Sequence, residues 1–261
     1  MGGVCFAKKL KTAFFLFAML FVSCGLDTFY YLEPPKTDGH TTKYTSTDRP
    51  QLYFSFLTNE EGDNSDYGSS DFSFLGTEVY YKIYNNYSTM VSAQSSIDSL
   101  NSSSDVSAAA TNIINSRNYK TLLFSSYNQT PLIPEKNDDR YVYIRLNSIK
   151  GSSEYSDVVC YGTSAMESYV AGSSGITLIG KPLRNVSSGS GYGFDFKKTD
   201  NGNPLPVSSD EDVNWSSSSE DGVWYVDMWA VSVGRDSSYS PSYSKLLHLG
   251  SISIREEWYD D

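Results

Sequence analysis

Apolar and polar positions alternate most cleanly between Val223 and Gly234. Trp224, Val226, Met228 and Ala230 point one way, and Tyr225, Asp227, Trp229, Val231 and Val233 the other. A period of two, rich in aromatic and β-branched residues, predicts a strand. Its first face is wholly apolar and reads as the wall of a sandwich core. The second mixes an acid with aromatics, as expected of a face partly open to water or covered by an extra segment. Leu52, Phe54 and Phe56 alternate in the same way with Tyr53, Ser55 and Leu57. Thr77, Val79, Tyr81 and Ile83 alternate with Glu78, Tyr80, Lys82 and Tyr84. Each set predicts a further core strand.

Between Ser88 and Arg117 the period changes. Met90, Ala93, Ile97 and Leu100 fall at helical spacing, as do Val106, Ala110, Ile113 and Ile114, with a serine-rich break between. Two short helices follow, and neither has an apolar stripe long enough to stand alone, so both should lie on a sheet. Shorter strand candidates come next: Lys120–Ser125, Arg140–Asn147, Asp157–Gly162, Gly175–Gly180 and Gly191–Lys197. In the last candidate, Lys245–Glu256, Leu247 and Leu249 share one phase, and Ile252 and Ile254 the other. A phase change at Gly250 predicts a β-bulge. The stretch 208–220 is polar and acidic and reads as a loop carrying Trp215.

Composition changes the picture in two ways. Only 39% of the residues are hydrophobic, but 21 Tyr and 13 Phe supply area for a core, since each buried aromatic removes roughly 150–250 Å² from water. The net charge is −11, and such a surface repels phosphate backbones. Nucleic acid is therefore not an expected partner.

The N-terminus carries the most specific signal. Lys8, Lys9 and Lys11 precede the apolar run Ala13–Val22, then Ser23 and Cys24. A basic start, a short apolar run and a small residue at the cut describe a secretory signal over residues 1–23. Ten apolar residues are too few to cross a bilayer core, for which roughly 20 are needed. Removal of this signal leaves 17 basic against 31 acidic side chains, a net charge of −14. Phe21-Val22-Ser23-Cys24 resembles a bacterial lipobox of the relaxed kind found among spirochaete lipoproteins, with Phe21 where leucine is usual. The resemblance implies acylation of Cys24, a membrane partner through that anchor, and a place in the cell envelope. Residues 24–50, with Pro34, Pro35 and Pro50, read as a spacer bearing one short edge strand.

Trp224 to Ala230 with Gly234 and Ser240-Pro241-Ser242 resemble the final strands of a fibronectin type III domain. Gly76-Thr77-Glu78-Val79-Tyr80-Tyr81 and Leu52–Phe56 resemble its third and second strands. The implied fold is all-β: one elaborated fibronectin type III or immunoglobulin-like β-sandwich over residues 51–261. A long insertion with a short helical part occupies about 86–222.

Chemistry is sparse. His40 and His248 are the two histidines, so no His cluster has metal-ligand spacing, and no cofactor is expected. After processing, Cys160 is the remaining thiol and reads as a small buried hydrophobe. A Cys160–His248 nucleophilic pair lacks local support. The acidic clusters Glu60–Asp66 and Asp210–Asp212 lack the ligand order of a calcium loop and read as solvated turns. Asp227, mid-strand between Tyr225 and Trp229, is the most interesting acid, but a glycosidase needs a second carboxylate at a set separation, and none is assignable. Tyr80, Tyr84, Tyr225 and Trp229 form a candidate ligand-binding platform for sugar rings or a protein partner. The alternative is that the insertion covers them. The expected role is non-catalytic binding or scaffolding, with glycan binding or processing near Asp227 as the alternative.

Overall fold

The computed structural model describes residues 31–60, 64, 72–124, 130–187, 191–196, 204–219 and 221–256. The expected signal at 1–23 and Cys24 lie outside the described residues, as does most of the acidic segment after Glu60.

The strand predicted at Val223 is β11 (Val223–Asp236), and it forms the spine of the molecule. Its antiparallel neighbour β2 (Phe72–Tyr84) runs beside it along its whole length, from Tyr225 opposite Tyr84 to Asp236 opposite Phe72. On the other side of β11 lie β13 (Leu247–Arg255) and the short β12 (Pro241–Tyr243). Three two-residue strands pair with the outer edge of β2: β3 (Lys120–Thr121), β5 (Ile133–Pro134) and β10 (Val213–Asn214). A second, antiparallel sheet has the order β1 (Phe54–Leu57), β6 (Tyr141–Arg145), β7 (Val158–Gly162), β8 (Ile176–Gly180). A minor ribbon joins β4 (Leu123–Phe124) to β9 (Pro182–Leu183).

The two large sheets pack face to face. Phe54 and Phe56 of β1, Val142 and Ile144 of β6 and Val159 of β7 meet Val79, Tyr81 and Ile83 of β2, and Trp224, Val226, Met228 and Ala230 of β11. The apolar face of β11 is thus the core wall, and the fold is an all-β sandwich. Residues 86–222 supply three of the four strands of the second sheet.

The outer face of the seven-stranded sheet carries the helices. α1 (Tyr87–Asn101) starts at Asn86, whose side chain accepts from the Thr89 backbone N–H at 2.9 Å, a side-chain N-cap. Met90, Ala93 and Ile97 form its buried stripe. α2 (Ala108–Thr111) runs on into a π-helical turn over Asn112–Ser116, burying Ala109, Ala110 and Ile113. The bulge expected in the last strand is present: β13 shifts register opposite Met228/Trp229. Gly250 there has φ 104°, and a Cβ on it would stand 2.4 Å from the Thr42 carbonyl oxygen. Only glycine fits.

The described part of the expected spacer, residues 31–50, is docked on the sandwich. Lys36 exchanges two 2.8 Å backbone bonds with Leu57, and Thr42 bridges to Gly250. Arg145 holds the end of this strap, donating to the carbonyls of Arg49 (2.9 Å), Pro50 and Leu52 (3.4 Å). Its guanidinium lies 5.8, 5.9 and 5.1 Å from the rings of Tyr53, Tyr143 and Tyr155.

Candidate functional site

Alternation along β11 puts Tyr225, Asp227 and Trp229 on the helix-covered face, and alternation along β2 puts Tyr80, Lys82 and Tyr84 beside them. Asp227 is the centre. Its Oδ1 accepts from Gln94 Nε2 of α1 at 2.7 Å and faces His248 Nε2 of β13 at 2.8 Å. Its Oδ2 accepts from the Tyr119 hydroxyl and from Trp229 Nε1, each at 2.7 Å. A carboxylate has about four lone-pair sites, and four donors fill them. The imidazole of His248 stacks on the Trp229 indole at 4.1 Å, and Tyr84 and Tyr119 share a hydroxyl bond of 3.0 Å.

Burial decides the electrostatics. It pushes the phenols of Tyr84 and Tyr119 well above their ordinary value, and the nearby negative charge of Asp227 pushes them further. Both hydroxyls therefore keep their protons and remain donors. Lys82, directly across from Asp227 in the ladder, donates instead to the carbonyls of Asn118 (3.0 Å) and Glu211 (3.2 Å). Burial pulls its ammonium down to about 8.

The open aromatic platform is not what the structure forms. Tyr80, Tyr84, Tyr225 and Trp229 are all buried. Tyr80 and Trp229 pack with Ile97, Ala109, Ala110 and Ile113 of the helical layer, and Tyr84 and Tyr225 with Met90 and Ala93. The physical reason lies in the helices themselves, whose apolar stripes need a partner and take this face. The covered reading of these four residues is the observed one. Asp227 bonds a tyrosine as the pattern suggests, but from the helical side and inside the protein.

Two acidic clusters are corrected. Asp212 is fully buried rather than solvated: Arg184 donates to it from Nε at 2.9 Å and from Nη2 at 2.7 Å, and the Tyr81 hydroxyl donates at 2.8 Å. Asp210 takes a further 2.7 Å bond from Arg184. Glu60 is also buried and paired with Arg140. Charges leave water only when opposite charges and donors replace it, and those partners lie too far along the chain for spacing to reveal them.

Cys160 is buried as expected, and burial pushes its thiol up to about 12. It packs with Tyr53 and Tyr143 on the outer face of the four-stranded sheet, whereas His248 belongs to the other sheet. The two do not form a pair. Among the described residues, no group of three or more His, Cys, Asp and Glu is placed to hold a metal ion.

No family model matches the chain, nor does any curated protein or solved structure. The sandwich is observed, while its fibronectin type III character stays a resemblance.

The arrangement around Asp227 joins four parts of the chain: α1 through Gln94, the segment after α2 through Tyr119, β11 through Trp229 and β13 through His248. It fastens the helical layer to the sheet. Chemically it has little left to offer, because neither oxygen is open to a substrate. His248, with its side chain 30% exposed, and the half-buried Gln94 are the groups of the set that reach the surface.

Proposed function

We propose that this chain is a lipid-anchored cell-envelope protein that acts by non-catalytic binding or scaffolding. The observation that carries the non-catalytic part is the saturation of Asp227: the most conspicuous acid holds four donors and serves cohesion. The anchoring part rests on the basic start, the short apolar run and Phe21-Val22-Ser23-Cys24. Docking of the strap from Leu32 onward supports a close tether, because residues 25–31 reach at most about 25 Å when extended. A fibronectin type III-like arrangement is part of the proposal and is supported by the adjacency of β2, β11 and β13.

The test is metabolic labelling with a fatty acid in a bacterial host. Label on the wild-type chain and none on Cys24→Ser supports the anchor. Equal label on both overturns it. For the non-catalytic part, turnover of an envelope substrate by the purified protein, abolished in Asp227→Asn with the fold retained, is the contrary result.

Glycan binding is the second reading, and Trp215 is the observation in its favour. It is 48% exposed and lies 6.0 Å from the Trp224 ring, while the four aromatics first considered are covered. Quenching of tryptophan emission by saccharides, absent in Trp215→Ala, is the result this reading requires.

A further inference from the structure

Tyrosines in this molecule meet mostly where water does not reach. Tyr53 and Tyr143 stand 4.8 Å apart, and both are buried. Tyr84 and Tyr119 share their hydroxyl bond inside the Asp227 cluster. Among the described residues one stacked pair is different. Tyr44 of the strap and Tyr87 at the start of α1 lie with ring centroids 4.4 Å apart and planes 30° from parallel. Both are half-buried, so each is partly open to water. Behind them stands the buried Tyr225, edge-on to Tyr44 at 6.1 Å and tilted to Tyr87 at 5.9 Å. The pair is closed on its inner side by this third ring.

Two separate parts of the chain bring the rings together. The Tyr44 carbonyl accepts the Ser253 hydroxyl at 2.9 Å, which holds the strap on β13. Tyr87 follows the Asn86 side-chain cap, which fixes the first turn of α1. The Tyr87 hydroxyl lies near enough to that of Tyr44 to push the Tyr44 phenol up from its ordinary value. Hydroxyls on the same side of a stack also bring the neighbouring ortho carbons over one another. Carbons of stacked rings sit near van der Waals separation, about 3.5–4.0 Å.

We propose that Tyr44 and Tyr87 form an oxidant-dependent covalent lock, a dityrosine bond that fastens the strap to α1. Each phenol gives one electron and one proton to a one-electron oxidant of the peroxidase type, leaving two neutral tyrosyl radicals. The radicals couple, and one C–C bond forms between ortho carbons. The hydrogens displaced from those carbons move to the two oxygens, which become hydroxyls again. Hydrogen peroxide takes up the two electrons and two protons and is reduced to two molecules of water. Coupling within one chain needs two rings already in contact, and exposure alone does not supply that. Tyr239 is 74% exposed, yet the group over its ring is the Arg235 guanidinium at 5.0 Å. Once formed, the bond keeps strap and helix joined even where their hydrogen bonds have failed. The lock depends neither on acylation nor on a ligand.

The experiment treats the full chain, at low protein concentration, with a haem peroxidase and hydrogen peroxide. Products are separated on a denaturing gel, and the monomer band is digested for mass spectrometry. The expected monomer is lighter by two hydrogens, shows dityrosine fluorescence and yields a peptide pair joining Tyr44 to Tyr87. Tyr44→Phe and Tyr87→Phe are each expected to lose all three signals at unchanged melting temperature, because a phenyl ring stacks in the same place with no phenol to oxidise. Tyr239→Phe is expected to keep them, and unfolding in urea before oxidation to abolish them. A monomer without the cross-link overturns the proposal, as does dityrosine that persists in Tyr44→Phe or forms equally in urea. So does dityrosine confined to the dimer band, which would show tyrosines meeting between molecules instead.

Discussion

Arg184 and Asp212 meet through two hydrogen bonds, of 2.9 and 2.7 Å, with neither side chain more than 1% exposed. Asp212 also receives the Tyr81 hydroxyl, and that hydroxyl accepts the Asn185 backbone N–H at 2.7 Å. One ion pair thus pins the segments bearing β9 and β10 to the centre of β2. Removing Arg184 leaves Asp212 charged and dry, which costs about 3–5 kcal/mol. Arg184→Met is expected to lose that much in urea unfolding. Replacing the pair together, Arg184→Met with Asp212→Leu, is expected to recover most of it. Equal losses in the single and double variants would contradict this account.

The Asp227 cluster predicts a regional effect. Asp227→Leu strands the Tyr119 hydroxyl and the Trp229 indole N–H in the interior, at about 1–3 kcal/mol each. The loss falls at the joint between helices and sheet. Amide exchange should therefore accelerate first in α1 and in the turn after α2, while β1 and β6 stay protected. Uniform acceleration throughout the molecule would show that the cluster has no such local role.

Glu78 sets a pH dependence. Its Oε1 accepts from the backbone N–H groups of Val79 (3.1 Å) and Leu132 (3.3 Å), and Oε2 has no partner among the described residues. Burial outweighs the two hydrogen bonds and pushes the carboxyl from 4.5 up to about 8. The folded protein keeps this proton where the unfolded chain has released it. The contribution is therefore fully present below about pH 4.5 and fades as the pH rises toward 8, at about 1.4 kcal/mol per unit. Glu78→Gln should flatten that slope, raising the melting temperature at pH 8.5 and changing it little at pH 5. Parallel pH profiles for the two proteins would refute the assignment.

Much of the sandwich was legible because β strands write their faces locally. Trp224, Val226, Met228 and Ala230 alternate, and all four line the core. The phase change at Gly250 showed in the sequence because a bulge must shift the pattern within the strand that carries it. The helices at Met90–Ile97 and around Ala110 were readable for the same reason, including their need of a sheet to lie on. What was hidden is long-range polarity. Asp227 looks much the same beside an open platform or under a roof, until Gln94 and Tyr119 arrive from elsewhere in the chain. Asp212, in a run of acids, looks solvated until Arg184 is found 28 residues away. The strap was misleading too: its prolines suggest a linker, and many of the bonds that dock it are made by its backbone, at Glu33, Pro34, Lys36 and Tyr44.

At Gly250 the same reasoning gives a sharp test. A methyl group there would sit 2.4 Å from the Thr42 carbonyl oxygen, at a φ that side chains avoid. Gly250→Ala is expected to cost about 1–3 kcal/mol and to open the strap to limited proteolysis between residues 36 and 50. A variant as resistant as the wild type would mean that the bridge to Thr42 contributes little.

The strap also fixes how the molecule would respond to being pulled. Tension entering along the strap from its N-terminal side reaches the bonds of Glu33 to Asn64 and of Pro34 to Asn59 first, then the Lys36–Leu57 bridge and the contact of Thr42 with Gly250, and only afterwards Arg145 and its three carbonyls. These attachments lie in series and touch both sheets, so they should fail one after another while the sandwich behind them stays shut. Residues 32–50 then act as a graded shock absorber, giving way stepwise before the core carries any load.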